Sequence, residues 1–228
     1  MKMTWARCGL AAGLFLSVTA WADPIIPTLS FGGNFSSDDQ ILTIPFILSA
    51  PGTVTLSTVS FAGGLDGDGN TILGGGFEPV LSLFEGTGAQ NLIGQDTTGG
   101  TLPGGCGGRG IDGASGYCLD ALLQQSLNAG TYLLALTESD NIANGPSFFD
   151  GFSQQGQGNF TGTEFTGTPG SFILFDGTQR SSAYLVNLTG DNLSTPTPEP
   201  FSAGLMAIGF AAVGLVRRKR KSSAENLS

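Results

Sequence analysis

Residues Gln40–Leu48 read QILTIPFIL. The apolar side chains alternate, so Leu42, Ile44, Phe46 and Leu48 fall on one face of an extended chain. A period of two predicts a β-strand with one face in a core. Pro45 has no backbone N–H to give a ladder, which places this strand at a sheet edge or at a bulge. Working outward, Val54–Phe61 is rich in Thr, Ser and Val with partial alternation. Phe77–Phe84 (FEPVLSLF) and Thr131–Thr137 (TYLLALT) are short apolar runs, and Ser171–Phe175 and Ala183–Leu188 are similar. Gly, Asn, Asp and Pro separate them at short intervals, the pattern of an all-β sandwich or barrel. Only Asp120–Asn128, DALLQQSLN, accommodates a helical turn or two. No fixed-period repeat is present, which argues against a solenoid.

The chain has 228 residues, one domain's worth with small extras. It contains no histidine, which excludes a His-based triad and a His metal site. With 9 basic and 18 acidic residues, net −9, it is a poor partner for nucleic acid, whose phosphates call for Lys and Arg. The basic residues are unevenly placed: Lys2, Arg7, Arg109, Arg180 and the run Arg217, Arg218, Lys219, Arg220, Lys221.

The N-terminal pair begins a secretory signal. Lys2 and Arg7 form its basic region, Cys8–Thr19 is a twelve-residue apolar stretch, and Ala20 and Ala22 supply the small residues that signal peptidase reads. Residues 1–22 are therefore expected to be removed. At the other end, Phe201–Val216 is apolar for sixteen residues, roughly 24 Å of helix, which flanking arginines can extend by snorkelling. The basic run 217–221 then stops transfer on the cytoplasmic side, with 222–228 as a tail. These features predict an exported middle and an inner-membrane intermediate.

Thr195–Pro200 reads TPTPEP, an extended linker. Pro198, Glu199 and Pro200, followed by a short Gly-containing span and a basic cluster, resemble the PEP-CTERM sorting signal of Gram-negative bacteria. The resemblance covers about residues 198–221, within a sorting segment 195–221 that includes the Pro-rich linker. It implies recognition and cleavage by exosortase, a membrane protease-transpeptidase, and delivery to the cell surface or the exopolysaccharide matrix.

Between the ends, residues 23–200 carry seventeen acids and two arginines, net −15, with no Lys, Trp or Met. Gly75–Phe84, Gln95–Asp96, Asp120–Leu122, Asn128–Thr137 and Phe175–Arg180 resemble successive strands and turns of PPC-like (pre-peptidase C-terminal-like) domains. The likeness spans about residues 30–190, with an insertion at 99–118. It implies a single jelly-roll-type β-sandwich over 23–194, non-catalytic, that binds matrix or polysaccharide, sometimes with calcium. Cys106 and Cys118 form an even pair once Cys8 leaves with the signal, and an exported address favours their disulfide.

Asp66-Gly67-Asp68-Gly69-Asn70 matches the opening of a Ca²⁺ loop, in which alternating oxygen ligands curl around a hard cation. The distal Glu of that pattern is missing, so Glu78 and Asp140 are the candidates to complete a site. Ordinary turn chemistry explains the same letters. Pairs such as Asp66 with Glu78, or Glu138 with Asp140, meet the two-carboxylate requirement of a glycosidase, but nothing in their spacing selects them. Serine-elbow, P-loop and zinc motifs are missing, and Gly105-x-Gly107-x-x-Gly110 lacks a following helix. Phe148, Phe149, Phe152, Phe160 and Phe165 punctuate a polar stretch. They read as core residues more than as a sugar-stacking strip, which favours Trp and Tyr. The sequence thus favours a structural or adhesive matrix component. A calcium-dependent carbohydrate-binding module is the alternative, and no catalytic residue is expected.

Overall fold

The computed structural model describes residues 27–86, 88–89, 91–97 and 106–196. The signal cleavage residues Ala20 and Ala22, the motif Pro198–Pro200, the apolar span 201–216 and the basic cluster 217–221 lie outside the described residues. Among those described, no helix is long and apolar enough to cross a membrane.

Two antiparallel sheets face each other. One has the order β1 (Thr28–Asn34), β10 (Ala183–Thr189), β3 (Gly52–Thr58), β8 (Leu122–Leu127). The other has the order β11 (Leu193–Ser194), β2 (Leu42–Leu48), β9 (Gly130–Glu138), β6 (Pro79–Glu85), β7 (Asn91–Asp96). A small hairpin, β4 (Gly63–Leu65) with β5 (Thr71–Leu73), stands apart. The alternation read in Gln40–Leu48 holds: Ile44, Phe46 and Leu48 are buried between the sheets and Leu42 packs against them. β11 pairs only with Ile47 and Leu48, so at Pro45 the strand is outermost in its sheet and no ladder bond is forfeited.

The inter-sheet core also takes Val54, Leu56, Leu81, Leu83, Tyr132, Leu134, Leu136, Val186 and Leu188, each from alternate positions. β6 is buried on both faces, which is why FEPVLSLF is nearly continuous in apolar character. Its outward Phe84, with Ala135 of β9, is covered by Phe148 and Phe152 from the segment after β9.

Two expectations are corrected. Asp120–Asn128 is not helical: Leu122–Leu127 is a strand that pairs antiparallel with β3, with Leu123 and Leu127 turned to the core. Alternation across the pair outweighs the helix-tolerant composition of the segment. Ser171–Phe175 is not a strand either. It is a turn with a single bridge, Ile173 to Gln179, and Phe172 takes a left-handed φ of 58°. The side chain of Gln179 donates to the carbonyls of Ser171 and Phe172 and holds that turn closed.

Cys106 and Cys118 are joined in a disulfide with Cα atoms 5.5 Å apart, within the range such a bond spans. Disulfides persist in oxidising compartments, which accords with an exported chain.

Candidate functional site

At one end of the five-stranded sheet, β2 and β6 begin and β9 ends. A long segment, 142–182, closes over this end. It contains the helix α1 (Phe160–Thr166) and an open depression of about 520 Å³ lined by Gln154, Gln157, Asn159, Phe160, Thr163 and Glu164 with intervening glycines. FTGTEFT is a weak helix former, with a glycine and three threonines. Asp38, from the turn before β2, makes it hold. Its buried carboxylate accepts from the N–H groups of Asn159 (2.6 Å) and Thr161 (3.0 Å) and from the Thr161 hydroxyl (2.8 Å). It thereby caps the helix from a distant part of the chain. Neighbouring Asp39 accepts from Gly156 N–H at 3.0 Å, and Asn141 Oδ1 accepts from Gln154 N–H at 3.0 Å. The rim of the depression is thus tied to both sheet-end turns.

Behind this rim lies a set of carboxylates. Glu138 closes β9 on the alternation of Tyr132, Leu134 and Leu136, so it belongs to the core face. It is 2% exposed, and its Oε2 has no hydrogen-bond partner among the described residues. Burial, with Glu78, Asp38 and Asp140 nearby, pushes its carboxyl well above the ordinary range. Glu78 is buried beside it: Pro79 pairs with Glu138, and Ser139 N–H donates to the Glu78 carbonyl. Burial and then Asp140 push Glu78 up to about 8, opposed by a hydrogen bond from Ser139. Asp140 is exposed, and Glu164 on α1, raised by desolvation and by Asp140, links the set to the depression. In this arrangement no group of three or more acidic or thiol side chains among the described residues is gathered to hold a metal ion.

The five residues expected to share a metal fall in two places. Glu78 and Asp140 belong to the set just described. Asp66, Asp68 and Asn70 form the β4–β5 turn, where Asp66 accepts from the N–H of Asp68 (3.0 Å), the N–H of Asn70 (2.8 Å) and the Asn70 amide (2.9 Å). These bonds, the Asn70 side chain first, hold Asp66 below the ordinary carboxylate range. No hydrogen bond, ion pair or electrostatic interaction joins this turn to Glu78 or Asp140 among the described residues, and turn chemistry accounts for it. Glu138 was not among the expected site residues. The signal for it was a charged residue at a core-facing position of a strand.

The aromatic stretch divides. Phe152 and Phe160 are buried, Phe148 and Phe165 are half-buried, and Phe149 is 76% exposed. Beside the disulfide-closed loop, Arg180 is buried. It donates to Asp112 (3.1 Å) and to the carbonyls of Gly76 (3.0 Å) and Phe61 (2.9 Å), and lies 4.1 Å from the Phe61 ring centre. Arg109 pairs with Asp96 at 2.6 Å.

No protein-family model matches the chain, and no curated protein matches it. Among solved structures, PliG of Aeromonas hydrophila, a periplasmic lysozyme inhibitor of g-type lysozyme, aligns with a TM-score of 0.32 and 13% identity over 74% of this chain and 88% of that one. So slight a likeness leaves the function to the residues themselves.

Proposed function

We propose that the chain is an exported, exosortase-processed protein of the cell surface or extracellular matrix, with a structural or adhesive role in contact with exopolysaccharide. In this reading the sandwich is a jelly-roll-type module of PPC-like character, and it binds without catalysis. The observation that carries the binding role is the depression beside α1. Its lining of Gln154, Gln157, Asn159, Thr163 and Glu164 offers amide, hydroxyl and carboxylate groups, the complement of sugar hydroxyls. The sorting half rests on Pro198–Pro200, the apolar span and the basic run. Glu78 invites an acid–base role through its raised pKa, but burial and then Asp140 account for that shift, and no contact places Glu78 against Glu164, the acid that lines the depression, as a working pair among the described residues.

One experiment addresses both halves. The full chain is expressed in a Gram-negative host that makes exopolysaccharide, with and without its exosortase, beside a Gln157→Ala, Thr163→Ala variant. The expected result is loss of the C-terminal segment by intact mass only when exosortase is present. Retention in the polysaccharide fraction is expected to fall in the variant, with no shortening of the polysaccharide. An unprocessed C-terminus in both hosts overturns the sorting half. Retention that the variant leaves unchanged overturns the assignment of the depression.

A further inference from the structure

We propose that the depression beside α1 selects a glycan that carries free amino groups, as a de-N-acetylated amino-sugar polymer does, over neutral and uronate-bearing glycans. The inference rests on the reading of the depression as a sugar site and adds the charge of the sugar. A glycan that carries carboxylates is held by arginine, lysine or free backbone N–H groups. Residues 23–200 contain no lysine, and their two arginines are engaged with Asp96 and Asp112. The N–H groups of the rim are taken as well. Those of Asn159 and Thr161 donate to Asp38, that of Gly156 to Asp39, and that of Gln154 to the Asn141 side chain. Asp38 and Asp39 are carboxylates, so the bonds that shape the depression also bring negative charge up behind it. At Gly158, another lining residue, an added Cβ would come to 3.5 Å from the Asp39 carboxylate.

Glu164 is the acid of the lining itself. It is exposed, its carboxyl is raised by desolvation and by Asp140, and no hydrogen bond or cation among the described residues opposes that rise. An ammonium group in the depression relieves the repulsion and supplies the missing partner. The rest of the lining favours a sugar over a bare amine. Gln154, Gln157 and Thr163 bring amide and hydroxyl groups to the same wall, the complement of ring hydroxyls. The volume of about 520 Å³ suits a small molecule with several polar contacts rather than a lone cation. The net charge of −15 over residues 23–200 acts in the same direction at longer range. It speeds encounter with a polycation and opposes a polyanion.

The test compares short ligands of different charge. The purified full chain is titrated by calorimetry with tetraglucosamine, with its N-acetylated counterpart, with tetragalacturonate and with tetralysine. Physiological ionic strength screens most of the long-range attraction. Tetraglucosamine is expected to bind about fivefold or more tightly than each of the other three. Glu164→Gln keeps the shape of an exposed side chain and is expected to remove most of that preference. Asp68→Asn takes the same charge from the β4–β5 turn, outside the depression, and is expected to leave the preference unchanged. Failure of tetraglucosamine to bind overturns the proposal, as does equal or tighter binding of any of the other three. So does wild-type preference in Glu164→Gln, or an equal loss in Asp68→Asn, which assigns the effect to the charge of the whole domain. Binding of the neutral or the uronate glycan that Gln157→Ala, Thr163→Ala abolishes overturns this proposal and leaves the depression a sugar site. Indifference of every glycan to that double substitution overturns both readings.

Discussion

Replacing Arg180 with alanine removes the buried cation beside the disulfide. The guanidinium joins parts of the chain that are far apart in sequence: the Asp112 carboxylate, the Gly76 carbonyl, and the Phe61 carbonyl and ring. Its loss removes a donor from the Gly76 carbonyl, leaves the Phe61 carbonyl with the Gly75 N–H, and leaves Asp112, 7% exposed at its side chain, with only the Ser115 N–H and hydroxyl as side-chain-oxygen donors among the described residues. Breaking a buried pair by deleting one partner costs about 3–5 kcal/mol, because the surviving charge stays buried. For a domain of this size that is a fall of roughly 10 °C in Tm. Urea unfolding followed by circular dichroism reads it directly. Arg180→Lys keeps the charge but cannot reproduce the fork, so it is expected to fall between the two. Asp112→Asn in the Arg180→Ala background is expected to cost less than it does alone, since the pair is then already broken. The pH profile supplies a further check. Burial alone raises the Asp112 carboxyl, but the Ser115 hydrogen bond and Arg180 outweigh it and hold it below the ordinary range. A depressed folded pKa means stability that is present above the unfolded value, about 4, and lost as pH falls through the folded value. Arg180→Ala is expected to flatten that acid limb. A variant within about 1 kcal/mol of wild type at neutral pH, with an unchanged acid limb, refutes the reasoning.

Two other perturbations test neighbouring parts of the structure. Cys106→Ser opens a loop whose ends are twelve residues apart, and chain entropy sets the loss at about 3 kcal/mol, read by the same urea titration. Gly162→Ala would press a methyl group onto the backbone of Gly170, whose carbonyl accepts from Gly162 N–H at 2.7 Å. It is expected to destabilise by about 1–3 kcal/mol and to weaken polysaccharide retention, because α1 carries Phe160, Thr163 and Glu164 of the depression. A melting scan and the retention assay check the two halves.

What was legible in the sequence was the part governed by local alternation. Leu42, Ile44, Phe46 and Leu48 are on the core side because a strand leaves them no other common face, and the apolar density of Phe77–Phe84 reflects two covered faces. The misread parts owe their form to contacts that alternation does not record. DALLQQSLN became a strand through its pairing with β3. SFILF became a turn because Gln179 and the backbone N–H of Arg180 bind its carbonyls. Helix α1 exists because Asp38, more than a hundred residues earlier, caps it. β3 and Asp38 lie outside any window that periodicity can scan, and the Gln179 contacts, though close in sequence, leave no periodic signal.

The candidate site was hidden for a different reason. Asp66-Gly-Asp-Gly-Asn looked like a cation loop because spacing is visible in sequence and satisfaction is not. In the folded chain each carboxylate can be asked what it bonds. Asp38 and Asp39 bind backbone N–H groups, Asp66 and Asp176 close their own turns, Asp150 caps the turn it ends, and Asp96, Asp112 and Asp120 lie near the arginines or accept from backbone. That reckoning leaves Glu138 as the deeply buried acid with an oxygen that no donor reaches among the described residues, and it places Glu78 and Asp140 nearby. Both arginines of residues 23–200 are engaged with other carboxylates, Arg109 with Asp96 and Arg180 with Asp112. Uniform acidity would only raise solubility. An acidic set turned partly inward, against a desolvation cost that grows with depth, acts on stability.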